Sequence, residues 1–331
     1  MGKSTAGFVL AVFLLFSSLL SAQAQNSSCT VNMPVVLVDK QGNLLGGASP
    51  KDLTIEVHRQ KLAIESLSYD TGPRRVLFIV DTGRHLPAEV RKMEYTLITH
   101  LMETARTGDT FGLLTTRGAL RQVRFEDGNG AVNRAVLELF ADAREDKKAG
   151  PMMDTIAEGL TWFGAPQPGD AILLMSDQLV PYDTLSQLRG GYAVDVRPLN
   201  ESSKTTFKKL TELLALHKVR AFGIQFSGVL HDPYTYEATD ENLAGLCIGS
   251  GGYVIVDAMT PFGGYQLTSA RIDGLQKRVY QLTGAIAEYY VAKLKAPAAA
   301  EKQQWRIELA RDLRNNTYAL YPRWVGACDN E

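Results

Sequence analysis

Three side chains in this sequence have the types and places to share chemistry: Asp81, His85 and Asp177. Asp81 ends the apolar run Val76 to Val80, and Asp177 follows a second run, Ala171 to Met175, by way of Ser176. Unbroken apolar runs of this length read as strands buried on both faces. Open parallel sheets bind ligands just beyond the carboxyl ends of such strands. Two carboxylates and an imidazole offer two oxygens and a nitrogen to a divalent cation. The same groups could form the acid–base pair of a hydrolase built on His85. Alternatively, the aspartates cap the helices that follow them and bond loop amides. Ser176 lacks the surroundings of a nucleophile elbow. Gly249-Ser250-Gly251-Gly252 has no lysine and helix after it, so it reads as a turn into a strand at Tyr253 rather than a phosphate loop.

A second group of residues suits recognition. Tyr234 and Tyr236 lie in the polar stretch 226–240, and Phe262 and Tyr265 lie between Pro261 and glycines. Aromatic side chains on loops are common anchors for a protein ligand.

The elements that must position these groups alternate. Residues 73–286 read as strand, helix, strand, helix. Predicted strands cover Val76–Val80, Thr110–Thr115, Leu120–Phe125, Ala171–Met175, Val219–Phe226 and Tyr253–Val256. Predicted helices cover Pro87–Arg106, Ala131–Ala141, Met152–Phe163, Thr205–His217 and Gly274–Ile286. This alternation predicts a doubly wound parallel sheet covered on both faces. Residues 25–72 read as a small β unit with strands at Met33–Val38, Leu53–Val57 and Leu62–Leu67. A turn at Asp39–Asn43 lets Gly42 and Asn43 take positive φ. Residues 287–331 carry three further strands, at Tyr289–Leu294, Trp305–Leu309 and Thr317–Leu320, which are expected to pair with the N-terminal unit.

Bulk properties narrow the function. Lys3, the apolar run Phe8–Leu20 and the small-x-small site Ala22-Gln23-Ala24 predict a cleaved signal peptide over residues 1–24. The run is short of the roughly 20 apolar residues of a spanning helix, and no other stretch is apolar enough. The protein is therefore expected to be exported: periplasmic, surface-bound or secreted. With 35 basic and 36 acidic residues, there is no electrostatic footprint for nucleic acid. The chain has three cysteines. Export favours disulfides, and Cys29 and Cys328, near the two mature ends, are the expected pair. Cys247 lies in an apolar stretch and reads as a buried thiol. Spacing leaves the pairing open.

The segment Asp81-Thr82-Gly83-Arg84-His85 resembles the D-x-S-x-S motif of von Willebrand factor A domains, with Gly83 and His85 in place of the serines. Val36–Leu45, Asp52–Val57, Glu288-Tyr289-Tyr290-Val291 and Trp305-Arg306-Ile307-Glu308-Leu309 occur in an order similar to that of secreted bacterial proteins related to this family, of the acidobacterial type. The resemblance implies a metal-ion-dependent adhesion site at the carboxyl end of the sheet, with Asp81 as first aspartate and Asp177 as last. Gly150-Pro151-Met152-Met153-Asp154 resembles the loop that supplies a threonine, which places Gly150 where the threonine would stand and Asp154 just after it. All three hydroxyl ligands of the motif are replaced, so the site is degenerate. What it implies is a residual Mg²⁺ or Mn²⁺ site at Asp81 and Asp177, with His85 a possible third ligand, and no tightly held cofactor. The expected function is binding of a protein ligand without catalysis. The alternatives are a metal-dependent adhesion module with altered ligands and a secreted hydrolase using His85.

Overall fold

The computed structural model describes residues 28–57, 59–82, 88–116, 122–141, 152–176, 205–227, 243–258, 269–297 and 304–324. Gly83, His85, Gly150, Asp177, Tyr234, Tyr236, Phe262, Tyr265, Cys328 and the expected signal peptide lie outside the described residues. Strands β1 (Ser28–Asp39), β2 (Leu53–Val57), β3 (Gln60–Leu62) and β4 (Ile64–Tyr69) come first. Then follow β5 (Arg75–Val80), α1 (Ala88–Glu103), β6 (Thr110–Thr115), α2 (Asn129–Ala141), α3 (Met152–Leu160) and β7 (Ala171–Ser176). The alternation continues with α4 (Phe207–His217), β8 (Arg220–Ser227), α5 (Leu243–Gly249), β9 (Val254–Ala258) and α6 (Ser269–Ala287). Strands β10 (Tyr290–Pro297) and β11 (Trp305–Leu309), the short helix α7 (Arg311–Arg314) and β12 (Thr317–Leu320) complete the order. None of the described helices is long and apolar enough to cross a membrane.

The central sheet is parallel throughout, in the order β6-β5-β7-β8-β9. Successive residues of β5 point to opposite faces, and both faces are buried. Val76, Phe78 and Val80 pack with α1, α2 and α6, while Leu77 and Ile79 pack with α3, α4 and α5. This is the doubly wound α/β architecture expected from the strand–helix alternation. The strand predicted over Leu120–Phe125 is not found among the described residues: beside β6, Val123 makes a single antiparallel bridge to Leu113, and Phe125–Asp127 is a turn of 3-10 helix.

The remaining strands form two antiparallel sheets, β12-β1-β10-β4 and β11-β2-β3. Val31, Met33, Val35 and Leu37 of β1 face Ile55, Val57 and Trp305 across a shared core. Val36 points the other way, into the core beneath α6. The four-stranded sheet is thus the middle layer between the three-stranded sheet and the α/β unit. Strands β4 and β10 pair directly, from Tyr69 opposite Tyr290 to Ile64 opposite Leu294. Residues 70–289 are therefore set between two partners of one antiparallel pair, and the α/β unit begins and ends side by side.

That junction is held by arginines. Arg106 donates from Nη1 to the Asp70 carbonyl at 3.0 Å and from Nη2 to the Ala287 carbonyl at 2.5 Å. Arg220 donates to the carbonyls of Ala285 and Ile286 at 3.1 and 3.2 Å. Its guanidinium lies 4.1 Å from the ring centroid of Tyr289. These donors satisfy carbonyls that a helix C-terminus leaves unpaired, and place positive charge at the negative end of α6. Burial, then the nearby Arg74 cation, pulls the Arg220 pKa down to about 9. Arg74 is itself buried against Asp109, whose carboxylate also takes the backbone N–H groups of Arg74 and Arg106, both at 2.7 Å.

Two further local expectations are corrected. The single strand predicted over Leu62–Leu67 is two strands, because the chain changes sheet at Ala63: β3 pairs with β2, and β4 pairs with β10. In the turn after β1 only Gly42 takes positive φ, at 78°; Asn43 instead donates its side-chain amide to Asp39 at 2.8 Å. The apolar stretch around Cys247, to which no element was assigned, is a helix, α5, and its thiol is buried as expected.

Candidate functional site

The carboxyl edge of the parallel sheet is built around the end of β5. The Asp81 N–H donates to the Met175 carbonyl at 2.8 Å, so β5 and β7 end level with each other. β6 follows β5 in the chain and lies on one side of it, whereas β7 lies on the other. The connections therefore change side between β5 and β7, at the kind of switch point where doubly wound sheets place their ligands. Asp81 stands at this point and is half-buried.

Its carboxylate is held by a residue that motif reading missed. Thr116, the first residue beyond β6, donates from its hydroxyl to Asp81 Oδ1 at 3.2 Å. The Thr116 oxygen also accepts the Thr82 N–H at 2.9 Å and lies 3.2 Å from the Thr82 hydroxyl. A hydroxyl has one hydrogen and two lone pairs. With its hydrogen on Asp81, Thr116 must accept from the Thr82 hydroxyl, and both its lone pairs are used. Thr82 and Thr116 are buried, at 7% and 2% exposure. Behind them Arg91 of α1 donates from both terminal nitrogens to the Asp81 carbonyl at 3.3 Å. Glu94, wholly buried one turn on, takes Arg91 Nη1 at 2.9 Å. The start of α1 is thereby tied to the end of β5. One signal for Thr116 was present in the sequence. Two predicted buried strands in parallel register put the polar residues ending one beside the aspartate ending the other; Val80 is opposite Thr115.

Asp154 is occupied differently. It lies in the first turn of α3, and its Oδ1 accepts the Thr205 N–H at 2.9 Å, which links α3 to the segment leading into α4. Asp81 and Asp154 are the two predicted site residues that fall among the described ones. Among the described residues no three His, Cys, Asp or Glu side chains gather as a metal site. Mg²⁺ and Mn²⁺ take about six oxygens in octahedral array. The described groups at the end of β5 give one carboxylate already held by a hydroxyl, and the Thr82 hydroxyl, whose own lone pairs are not engaged by Thr116.

No family model and no curated protein matches the chain. Among solved structures it is similar to proximal thread matrix protein 1 from the mussel byssus, with 12% identity and a TM-score of 0.41 over 74% of this chain and 51% of that one. It is also similar to the human COPII-coat protein Sec24c, with 10% identity and a TM-score of 0.35 over 77% of this chain and 44% of that one. A third is the SpRpn10 VWA domain, with 12% identity and a TM-score of 0.33 over 61% of this chain and 95% of that one. The chain spans about half the length of the first of these, 51%. At such identity these likenesses assign no residue a role. The five-stranded parallel sheet with helices on both faces makes the α/β unit a doubly wound one.

Proposed function

We propose that the chain is an exported protein-binding module that meets its partner at the carboxyl edge of the parallel sheet and does so without a tightly bound metal ion. The observation that carries this reading is the saturated Thr116 hydroxyl, which orients Asp81 with a neutral group and has no lone pair left for a cation. The switch point between β5 and β7 supports the placement of the binding surface. Export rests on the signal-peptide pattern of residues 1–24. The module is proposed to be non-enzymatic: in this reading the Asp81 and Asp154 carboxylates serve as hydrogen-bond acceptors that shape the edge.

The second reading, a metal-dependent module with altered ligands, draws on the Thr82 hydroxyl beside Asp81. Thermal unfolding separates the two. The mature protein is stripped with chelator and then given Mn²⁺, Mg²⁺ or Zn²⁺ in turn. A ligand at a hundredfold excess over its Kd stabilises a fold by about 2.7 kcal/mol, so saturation of a real site is visible. The proposal expects no shift with any ion. A shift with one ion that disappears in Asp81→Ala would replace it with the metal-dependent reading.

A further inference from the structure

We propose that a small monovalent anion, of the size of chloride, binds at the amino edge of the parallel sheet, between the Arg74 and Arg220 guanidinium groups and beside the ring of Tyr289. The register brings the two arginines to one place. Ala171 of β7 stands between Val76 of β5 and Arg220 of β8. Neighbouring strands lie about 4.7–4.9 Å apart, so β5 and β8 are two such steps apart, with only a methyl group on the row between them. Arg74 precedes Val76 by two residues and Arg220 precedes Phe222 by two. Both therefore lean to the face on which Val76, Ala171 and Phe222 pack beneath α1 and α6. Tyr289 marks the meeting point. The Arg220 guanidinium lies over its ring, and a Cβ built on Gly169 would stand 2.9 Å from both the Tyr289 hydroxyl and Arg74 Cγ.

Each arginine keeps a hydrogen donor for a ligand. Arg74 turns Nε and Nη2 to Asp109, which leaves Nη1 on the far side of the planar fork. Arg220 donates from Nη1 and Nη2 to the Ala285 and Ile286 carbonyls. Arg74 Nη1 and Arg220 Nε have no hydrogen-bond partner among the described residues, and both side chains are buried. A charged donor buried without an acceptor costs more than a neutral one. Charge decides between an anion and a neutral acceptor. Three guanidinium groups meet on this face, Arg74, Arg106 and Arg220, with two carboxylates, Asp70 and Asp109. A third carboxylate, Asp170, is taken by Arg75. The surplus on the face is one positive charge, of which the carboxyl end of α6 offsets about half. Water would satisfy the hydrogens and not the charge. A surplus of one selects a monovalent anion, and closure by the buried Tyr289 and Ala171 selects a small one. Such an anion also opposes the burial and the Arg74 repulsion that lower the Arg220 pKa.

The test is the melting temperature of the purified protein as chloride replaces gluconate at constant ionic strength. Gluconate is monovalent and too large for an enclosed site. A rise that saturates is expected, roughly 5 °C at a hundredfold excess of chloride over its Kd. Arg220→Met keeps most of the stem and removes Nε, and is expected to lose the rise. Arg74→Lys keeps a cation for Asp109 and removes Nη1, and is expected to weaken the rise; it carries the test if Arg220→Met does not fold. In crystals soaked in bromide, an anomalous-scattering peak is expected within hydrogen-bond reach of Arg74 Nη1 and Arg220 Nε. No chloride dependence overturns the inference. So does a dependence equal in wild type and variants, or a bromide map with only water at that position.

Discussion

Asp109 and Asp81 are the same residue type at opposite edges of one sheet, and their surroundings differ in kind. Asp109 precedes β6, is 4% exposed, and takes the Arg74 guanidinium and two backbone N–H groups. Asp81 follows β5, is half-buried, and takes a threonine hydroxyl. Around Asp109 charged groups are sealed against water, where an unmatched charge is costly. Asp81 is half-buried and its carboxylate takes a neutral hydroxyl, while the Arg91–Glu94 ion pair lies against its carbonyl. The amino edge holds the α/β unit to its β module, and the carboxyl edge carries the proposed binding surface.

Four substitutions test this contrast. Asp109→Ala leaves the buried Arg74 charge and two amides without their acceptor; a loss of about 3–5 kcal/mol is expected in urea unfolding. A loss as small as that of Asp81→Ala would end the distinction between the edges. Gly252→Ala comes next. It lies just before β9, and an added Cβ would stand 1.8 Å from the Ala221 carbonyl oxygen. Overpacking against backbone is expected to cost roughly 1–3 kcal/mol, read as a lower urea midpoint at unchanged slope. Thr116→Val keeps the shape, removes the hydroxyl that holds Asp81 and leaves the buried Thr82 N–H without its acceptor; about 1–3 kcal/mol is expected. If Thr116→Val instead cost as much as Asp109→Ala, the carboxyl edge would be structural rather than a presenting surface.

The smallest effect belongs to Asp39, in the exposed turn after β1. The Asn43 side-chain amide is the main cause of a carboxyl pKa below its ordinary 3.8, with further help from the backbone N–H groups of Asn43 and Gln41. A lowered folded-state pKa stabilises the fold above the unfolded value and ceases to do so as pH falls through the folded one. Asp39→Ala is therefore expected to lower the melting temperature slightly at pH 7. The difference from wild type should vanish well below pH 3.8. A difference that persists in acid would mean the turn is held by packing, such as the contact of Gln281 with Gln41, rather than by the carboxylate.

Much of the architecture was legible because it follows from local pattern. The runs at Val76–Val80 and Ala171–Met175 are apolar on both faces, so they could only be buried strands between helices. Strands at Leu53–Val57, Thr110–Thr115, Trp305–Leu309 and Thr317–Leu320 occur where alternation and turn residues placed them. The place of Asp81 was legible for the same reason, since a carboxylate cannot lie inside such a run and must sit at its end. Its partner was not, because motif spacing looks along one loop while Thr116 arrives from the neighbouring strand.

The sequence by itself determined the order of strands and helices, which faces they bury, and that Asp81 ends a core strand; hydrophobic periodicity and turn chemistry act over a few residues and need no partner. Only the tertiary structure decided the rest. It split the Leu62–Leu67 run between two sheets, set the α/β unit between β4 and β10, and brought Arg106 and Arg220 onto the last carbonyls of α6. Nothing local in the sequence marks these arginines for those carbonyls. Their partners lie 65 to 181 residues away, and contacts at such separation are set by how whole layers pack rather than by any local propensity.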